Sequence, residues 1–310
     1  MNTSADPAAI GIDLGATHIR AAIVAADGTA SSVVRHILPT DAAARRQAAA
    51  DIALHLLDRH PDRWIHAIGL AVAGTVADGV LTSSANLGMQ AVDYRTEIHA
   101  ATGRAATVLN DARAAATAEA RLVDGAKTAT ILMVTVGTGI GGGLVVNGAL
   151  HGGTGDAGEI GHIVVDPSGP PCGCGRRGCW EQVAGGLALD AAASEEARAN
   201  PGGRIAAIAG DCHPSAADLA QAAAEGDSAA MGVVARHAEL FAAGLDNVCA
   251  IVAPHVLIHG GGIMTRPGPI RDAYLAATRT LRWHKGDIQS AVLGDNAGMI
   301  GAALATWDNS

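Results

Sequence analysis

Between Gly158 and Glu181 the chain reads Gly-Glu-Ile-Gly-His, a spacer ending in Pro170-Pro171, then Cys172-Gly-Cys174-Gly-Arg-Arg-Gly-Cys179-Trp-Glu181. No other stretch limits the possible folds as tightly. Three of the five cysteines lie within eight residues, and His162 precedes the first of them by ten. Thiolate sulfur and imidazole nitrogen are ligands for a tetrahedral zinc ion, and the intervening glycines let a tight turn aim several sulfurs at one point. His162, Cys172, Cys174 and Cys179 are therefore candidate ligands of a structural Zn2+. Glu159 and Glu181 flank the knuckle, where they can present carboxylates to a small polar ligand. The competing reading is a cluster of buried free thiols. Grouped as they are, the cysteines fit metal binding in a reducing cytoplasm and not a framework of disulfides. Cys212 and Cys249 stand apart and read as small apolar residues.

A loop of this kind needs a scaffold. The 310 residues are 49% hydrophobic but only 2% aromatic, so the core must be built from Ala, Val, Ile and Leu, with room for two domains. A net charge of -9 offers no basic face for nucleic acid or anionic lipid. No apolar run is long enough to span a membrane, and the opening MNTSADPAAI has no cationic segment leading into an apolar one.

Ala8 to Asp13 reads as a strand, Leu14-Gly15-Ala16-Thr17 as a turn, and Ile19 to Val24 as a second strand. The layout returns when the chain is shifted by 122 residues. Thr130 to Val136 is apolar, Gly137-Thr138-Gly139 breaks it, and Ile140 to Val146 resumes. Such a weak repeat suggests two related domains, each opening with a strand-turn-strand unit. Ala42 to Arg59 reads as a helix ended by Pro61, and Ile65 to Val72 as a strand. Val108-Leu109 is a short strand leading into a helix from Ala112 to Leu122, with Asp111 placed like an N-cap. Glu181 to Ala199 and Ala216 to Cys249 read as helices. Pro254 to Ile258 is a strand entering Gly260-Gly261-Gly262, and a small-residue helix closes the chain through Ala305. Strands alternating with helices indicate an α/β architecture. The expected division is residues 1–119 with 295–310 in a smaller N-terminal domain and 120–294 in a larger one carrying the cysteine loop.

Asp13, Gly15 and Thr17 sit where a strand ends. Glycine there permits close backbone approach, the threonine hydroxyl and backbone amides can donate to phosphate, and Asp13 can hold Mg2+ through water. A plain hairpin turn capped by Asp is the alternative. Thr138 and Gly139, in Gly137-Thr-Gly-Ile-Gly-Gly-Gly143, form a second phosphate-loop candidate, beside which a packed glycine hairpin stays possible. The Asp13–Thr17 turn is not a P-loop, because the lysine-bearing helix start is missing.

Asp-Leu-Gly-x-Thr near the start, Leu-Asn-Asp at 109–111, the Gly-Thr-Gly-Ile-Gly-Gly-Gly run, Gly-Glu-Ile-Gly-His and Cys-x-Cys-Gly-x-x-Gly-Cys-x-Glu together resemble the ROK family of sugar kinases and sugar-responsive repressors. The resemblance extends to Gly294-Asp295-Asn-Ala-Gly-Met-Ile-Gly. It implies the actin/hexokinase-like (ribonuclease H-like) ATPase fold: two α/β domains with an interdomain cleft that takes ATP with Mg2+ and a hexose, in a homodimer or dimer of dimers. Trp180-Glu181-Gln182 is similar to the glucokinase branch of high-GC Gram-positive bacteria. By the same resemblance Asp111 is the catalytic base. Glu159, His162 and Glu181, with Asn86, Asn110 and Asp111, contact the sugar. Gly261 and Gly262 lie at the adenosine, and His162, Cys172, Cys174 and Cys179 bind zinc. Two departures stand out: Ala16 replaces a glycine of the family turn and His18 its lysine. His259 before the triple glycine is also unusual.

The expected activity is ATP-dependent phosphorylation of a hexose, glucose at O6 first. Fructose, mannose, GlcNAc or ManNAc is the alternative acceptor. A non-catalytic sugar sensor is the other class of function. Family repressors carry a helix-turn-helix ahead of the first strand, and here seven residues precede Ala8. A zinc module alone would leave both glycine turns and Asp111 unexplained.

Overall fold

The structure, a computed structural model, describes residues 6–84, 87–153, 155 and 157–308. It separates into two compact units, Met1–Ala129 with Gly143–Gly158 and Val292–Ser310, and Thr130–Gly142 with Glu159–Ala291. The sequence placed the division at 119/120 and 294/295.

The first unit starts with β1 (Ala8–Leu14), β2 (His18–Ala25) and β3 (Ala30–Ile37). These strands are antiparallel, in a register that sets Asp13 opposite Arg20. Helix α1 (Ala42–Arg59) begins at Asp41, whose carboxylate accepts from the Ala44 amide at 2.8 Å. β4 (Ile65–Val72) then lies parallel to β1. A small antiparallel sheet follows, made of β5 (Thr75–Ala77), β6 (Val80–Ser84) and β7 (Met89–Val92). α2 (Tyr94–Thr102) leads to β8 (Ala105–Asn110), which completes the main sheet in the order β3-β2-β1-β4-β8, and α3 (Asp111–Ala120) follows directly. β1 and β4 are buried along nearly their whole length, as central strands covered on both faces must be, so they read as continuous apolar runs.

In the second unit β9 (Thr130–Val136) precedes β10 (Ile140–Val146), a strand that ends among residues of the first unit, where Val145 and Val146 pair with β11 (Ala149–Leu150). The helices are α4 (Trp180–Ala184), α5 (Gly186–Ala199), α6 (Arg204–Ala209), α7 (Ala216–Ala224) and α8 (Ser228–Val252). β12 (Val256–Gly260) runs parallel to β9. After α9 (Gly262–Thr265) and α10 (Pro269–Thr278), β13 (Asp287–Ser290) lies parallel to β12. α11 (Ala297–Asp308) belongs to the first unit again.

Each unit has its own core. Ile10, Ile12 and Leu14 pack with Ile52, Leu56, Ile68, Leu70 and Tyr94 in the first, and Leu132, Val134 and Leu257 with Phe241, Leu245 and Val248 in the second. Burying one such side chain contributes about 1.5–3 kcal/mol. α11 reaches its sheet through a pair of glycines. Gly11 and Gly69 face each other across β1 and β4, and a Cβ on either would lie 1.9 Å from a carbonyl oxygen of α11 (Met299 or Ala302). No other residue allows that approach.

Three readings of local structure are corrected. The helix expected over Glu181–Ala199 breaks at Gly185. The one expected over Ala216–Cys249 breaks at Glu225-Gly226-Asp227, because the Asp227 carboxylate accepts from the Ala230 amide and caps α8 afresh. The N-cap of α3 is Asn110 and not Asp111.

Candidate active site and metal centre

The cysteine loop is shaped by backbone hydrogen bonds before any metal is considered. The Cys172 amide donates to the Arg176 carbonyl at 2.8 Å, Gly178 to Pro170 at 2.8 Å and Trp180 to Ile163 at 2.8 Å. One ligand atom each from His162, Cys172, Cys174 and Cys179 then falls within 4.8 Å of all the others. The Sγ atoms of Cys174 and Cys179 are 3.5 Å apart, as are His162 Nδ1 and Cys172 Sγ. Tetrahedral zinc with its usual bond lengths separates such atoms by about 3.5–3.8 Å. The His/Cys group can therefore hold a metal, with Nδ1 as the histidine donor. Burial pushes the Cys179 thiol up to about 12, whereas the Arg176 amide draws Cys174 down to about 6.

Trp180 ties this loop to the core. It is fully buried and stacks on Phe241 at 5.5 Å, which stacks on Tyr274 at 4.6 Å; the Tyr274 hydroxyl donates to the Ala184 carbonyl at 2.8 Å. Both ends of α4 are thus fixed, and Glu181 stands between them. Its Oε1 lies 3.6 Å from His162 Nδ1 and accepts from Gln182 Nε2 at 3.3 Å. Glu159 Oε2 is 3.8 Å from His162 Nε2. The expected sugar contacts Glu159, His162 and Glu181 therefore form one partly exposed cluster. The imidazole presents one nitrogen to the sulfurs and the other to Glu159.

Within the same unit, the turn at Gly137-Thr138-Gly139 follows β9, and Gly261 follows the neighbouring parallel strand β12. A Cβ on Gly261 would meet the Val136 backbone at 2.5 Å, so Thr138, Gly139, Gly261 and Gly262 cluster at the carboxyl ends of adjacent strands. Ligands of open α/β sheets bind at such ends. The Gly137 and Thr138 carbonyls accept from the Gly186 and Leu187 amides, the first of α5, at 2.8 and 2.9 Å.

The first unit holds the other candidates. Asn110 Oδ1 accepts from the Ala112 and Arg113 amides at 2.9 and 3.1 Å, and its Nδ2 donates to the Gly74 carbonyl. The same side-chain amide also hydrogen-bonds the Asp111 carboxylate and so favours its charged form. With the cap supplied by Asn110, the Asp111 carboxylate, which accepts from the Ala112 amide at 2.9 Å, is not needed for that task. Burial holds Asp111 above the usual carboxylate range. Asp13 is raised to about 6, chiefly by burial and then by the Asp111 charge. A carboxylate in that setting suits a hydrated divalent cation. The turn after it closes through the Gly15 amide on the His18 carbonyl at 3.0 Å, and the exposed Thr17 hydroxyl lies 2.9 Å from His18 Nδ1. Asn86 lies outside the described residues.

Sequence reasoning missed three polar residues that brace this unit. Arg20 donates to Asp13 at 3.4 Å and to Asp295 at 2.9 Å. The β1/β2 register would have disclosed the first contact. Arg113, two residues after Asp111, donates to the Gly155 carbonyl at 2.5 Å and steadies the approach to Gly158. Buried Glu119 accepts from the Val292 and Leu293 amides at 2.8–3.1 Å, where the chain re-enters the first unit. No local signal marked either residue.

A ROK family model matches residues 9–308. The chain is 32% identical over 306 residues to a glucokinase of Streptomyces coelicolor, covering 95% of this chain and 96% of that one. It is 33% identical over 307 residues to an N-acetylmannosamine kinase of Escherichia coli, covering 95% and 97%. Among solved structures, a ROK family glucokinase from Streptomyces griseus in complex with glucose and AMPPNP matches with a TM-score of 0.78 and 31% identity over 96% of this chain and 98% of that one.

Proposed function

Because this chain belongs to the ROK family and has the actin/hexokinase-like fold of its sugar kinases, we propose that it transfers the γ-phosphoryl group of ATP to O6 of glucose. The observation that carries this reading is the state of Asp111: a carboxylate relieved of helix capping by Asn110 and raised by burial. Such a group accepts the proton of an attacking hydroxyl, a step worth about 10²–10⁴-fold in rate. Glu159, His162 and Glu181 accept from and donate to vicinal sugar hydroxyls. Thr138 and Gly139 offer donors to the phosphates, with Gly15 and Thr17 as the second set, and Gly261 and Gly262 lie along the adenosine. Mg2+, when bound with ATP, supplies charge neutralisation on the phosphates, and Asp13 is the residue to hold its water shell. Zinc on His162, Cys172, Cys174 and Cys179 serves to order the loop that carries Glu181. A cytoplasmic homodimer or dimer of dimers is part of the proposal. No helix is long and apolar enough to cross a membrane among the described residues.

An N-acetylhexosamine acceptor is the second reading, favoured by the 33% identity to the N-acetylmannosamine kinase. A coupled ADP assay over glucose, mannose, fructose, GlcNAc and ManNAc, with ATP or polyphosphate as donor, separates the two. Glucose with ATP is expected to give the highest kcat/KM. A lead for ManNAc would replace the first reading by the second, and no turnover on any sugar would remove both.

A further inference from the structure

We propose that Gly139, assigned above to the phosphates, is also a positioning residue for the hexose, because the space left by its missing side chain is where the Glu181 carboxylate rests. The inference builds on the reading of Glu181 as a hexose contact.

Glycine is not required at this position by backbone conformation. Gly139 is not among the glycines with positive φ, so its backbone is open to an L-residue. Space is what excludes a side chain. A Cβ there would lie 2.6 Å from Glu181 Oε2, while the glutamate's Cδ and Cβ would stay at 3.6 and 3.8 Å. The overlap is with the tip of the carboxylate and with no backbone atom. Gly137, two residues earlier in the same turn, would meet nothing within 4 Å.

Of the two partners, the carboxylate must yield. The turn is held from behind by the Gly186 and Leu187 amides at 2.8 and 2.9 Å and across itself by the Gly137 amide on the Gly139 carbonyl at 3.0 Å. Glu181 has no such backbone restraint on its side chain, but its other face is occupied. Oε1 is 3.6 Å from His162 Nδ1, 3.3 Å from Gln182 Nε2 and 3.7 Å from Cys172 Sγ. An added methyl therefore displaces the carboxylate by roughly 0.8 Å to restore ordinary contact at 3.4 Å. Displacements on the order of 1 Å in a positioning group cost up to about 100-fold. The penalty falls on whatever Glu181 holds, so a change in a phosphate turn should register at the sugar.

The test compares hexose KM, ATP KM and kcat in Gly139→Ala, Gly137→Ala, Glu181→Asp, Glu181→Gln and the double variant Gly139→Ala/Glu181→Asp, with calorimetric titration of glucose and of ADP into each. Gly139→Ala is expected to raise hexose KM roughly tenfold while ATP KM stays within about twofold. Gly137→Ala should leave hexose KM in place. The shorter aspartate withdraws from the new methyl, so the double variant should lose less than the two single variants combined. A rise in ATP KM alone, or strict additivity, would overturn the proposal. If neither Glu181 variant changes hexose KM, the hexose role of Glu181 falls and this inference with it. Should Gly139→Ala fail to fold, recovery of a folded, hexose-binding protein in the double variant supports the contact, and failure of both overturns it.

Discussion

The two glycine turns were built on one plan and are supported in opposite ways. In the first unit, the turn after β1 leans on charge: Asp13 is faced by Arg20, which also holds Asp295, and the electrostatic influence of Asp111 reaches it. In the second, the turn after β9 leans on backbone hydrogen bonds from the start of α5 and on the packed carboxylate of Glu181. Charge can be retuned by one proton or one cation, whereas a hydrogen-bonded turn against a packed side chain is fixed when the chain folds. The first unit is equipped to react and the second to hold.

The sharpest way to break this contrast is Asp111→Asn. It should lower kcat by about 10²–10⁴-fold and leave glucose affinity intact by calorimetry. Because burial raises Asp111, the acid limb of kcat/KM should lie above the ordinary carboxylate range, with rate rising as pH carries the group into its ionised form. The counterpart in the second unit is removal of metal by chelation or by Cys174→Ser. Glucose affinity should fall about 10–100-fold while far-UV circular dichroism holds, since the Trp180–Phe241–Tyr274 stack that seats the loop on the core contains no metal ligand; full affinity in metal-free protein, checked by elemental analysis, would end the contrast.

Acid should move the two units in opposite directions. His259 is buried with neither ring nitrogen partnered among the described residues, and burial lowers it from 6.5 to about 4. The unfolded chain takes up that proton first, so the second unit should lose about 2 kcal/mol between pH 7 and pH 5. Asp13, raised from 3.8 to about 6, binds its proton first in the folded state, and the first unit should gain about 1 kcal/mol over the same interval. Native-state hydrogen exchange reads the two separately, and His259→Leu and Asp13→Asn should each flatten one response. The smallest effect is expected of Arg20→Met. Removing a cation that lowers Asp13 should raise ATP KM about fivefold, a loss of about 1 kcal/mol, and leave hexose KM alone.

What was legible in the sequence had a local cause. β4, β9, β10 and α1 fall on the expected residues because apolar runs and helix stops announce them. β3, largely exposed and rich in polar residues, shows no alternation to read, and β13 is exposed throughout. The four possible metal ligands were readable because their spacing is short and their chemistry narrow. The identity of the α3 cap was not, since Asn110 and Asp111 are both good caps and only the turn geometry chooses between them. Arg20, Arg113 and Glu119 act across 7, 42 and 173 residues of chain, beyond any local pattern.

The glycine-lined seat of α11 bears on the order in which the protein is made. Segments 130–142 and 159–291 leave the ribosome before residues 297–308, so the second unit has all its parts in hand while the sheet of the first still lacks the helix that covers Gly11 and Gly69. The half whose strands are synthesised first is then the half that matures last, and until it does, a chaperone or protease meets a bare strip of backbone along β1 and β4.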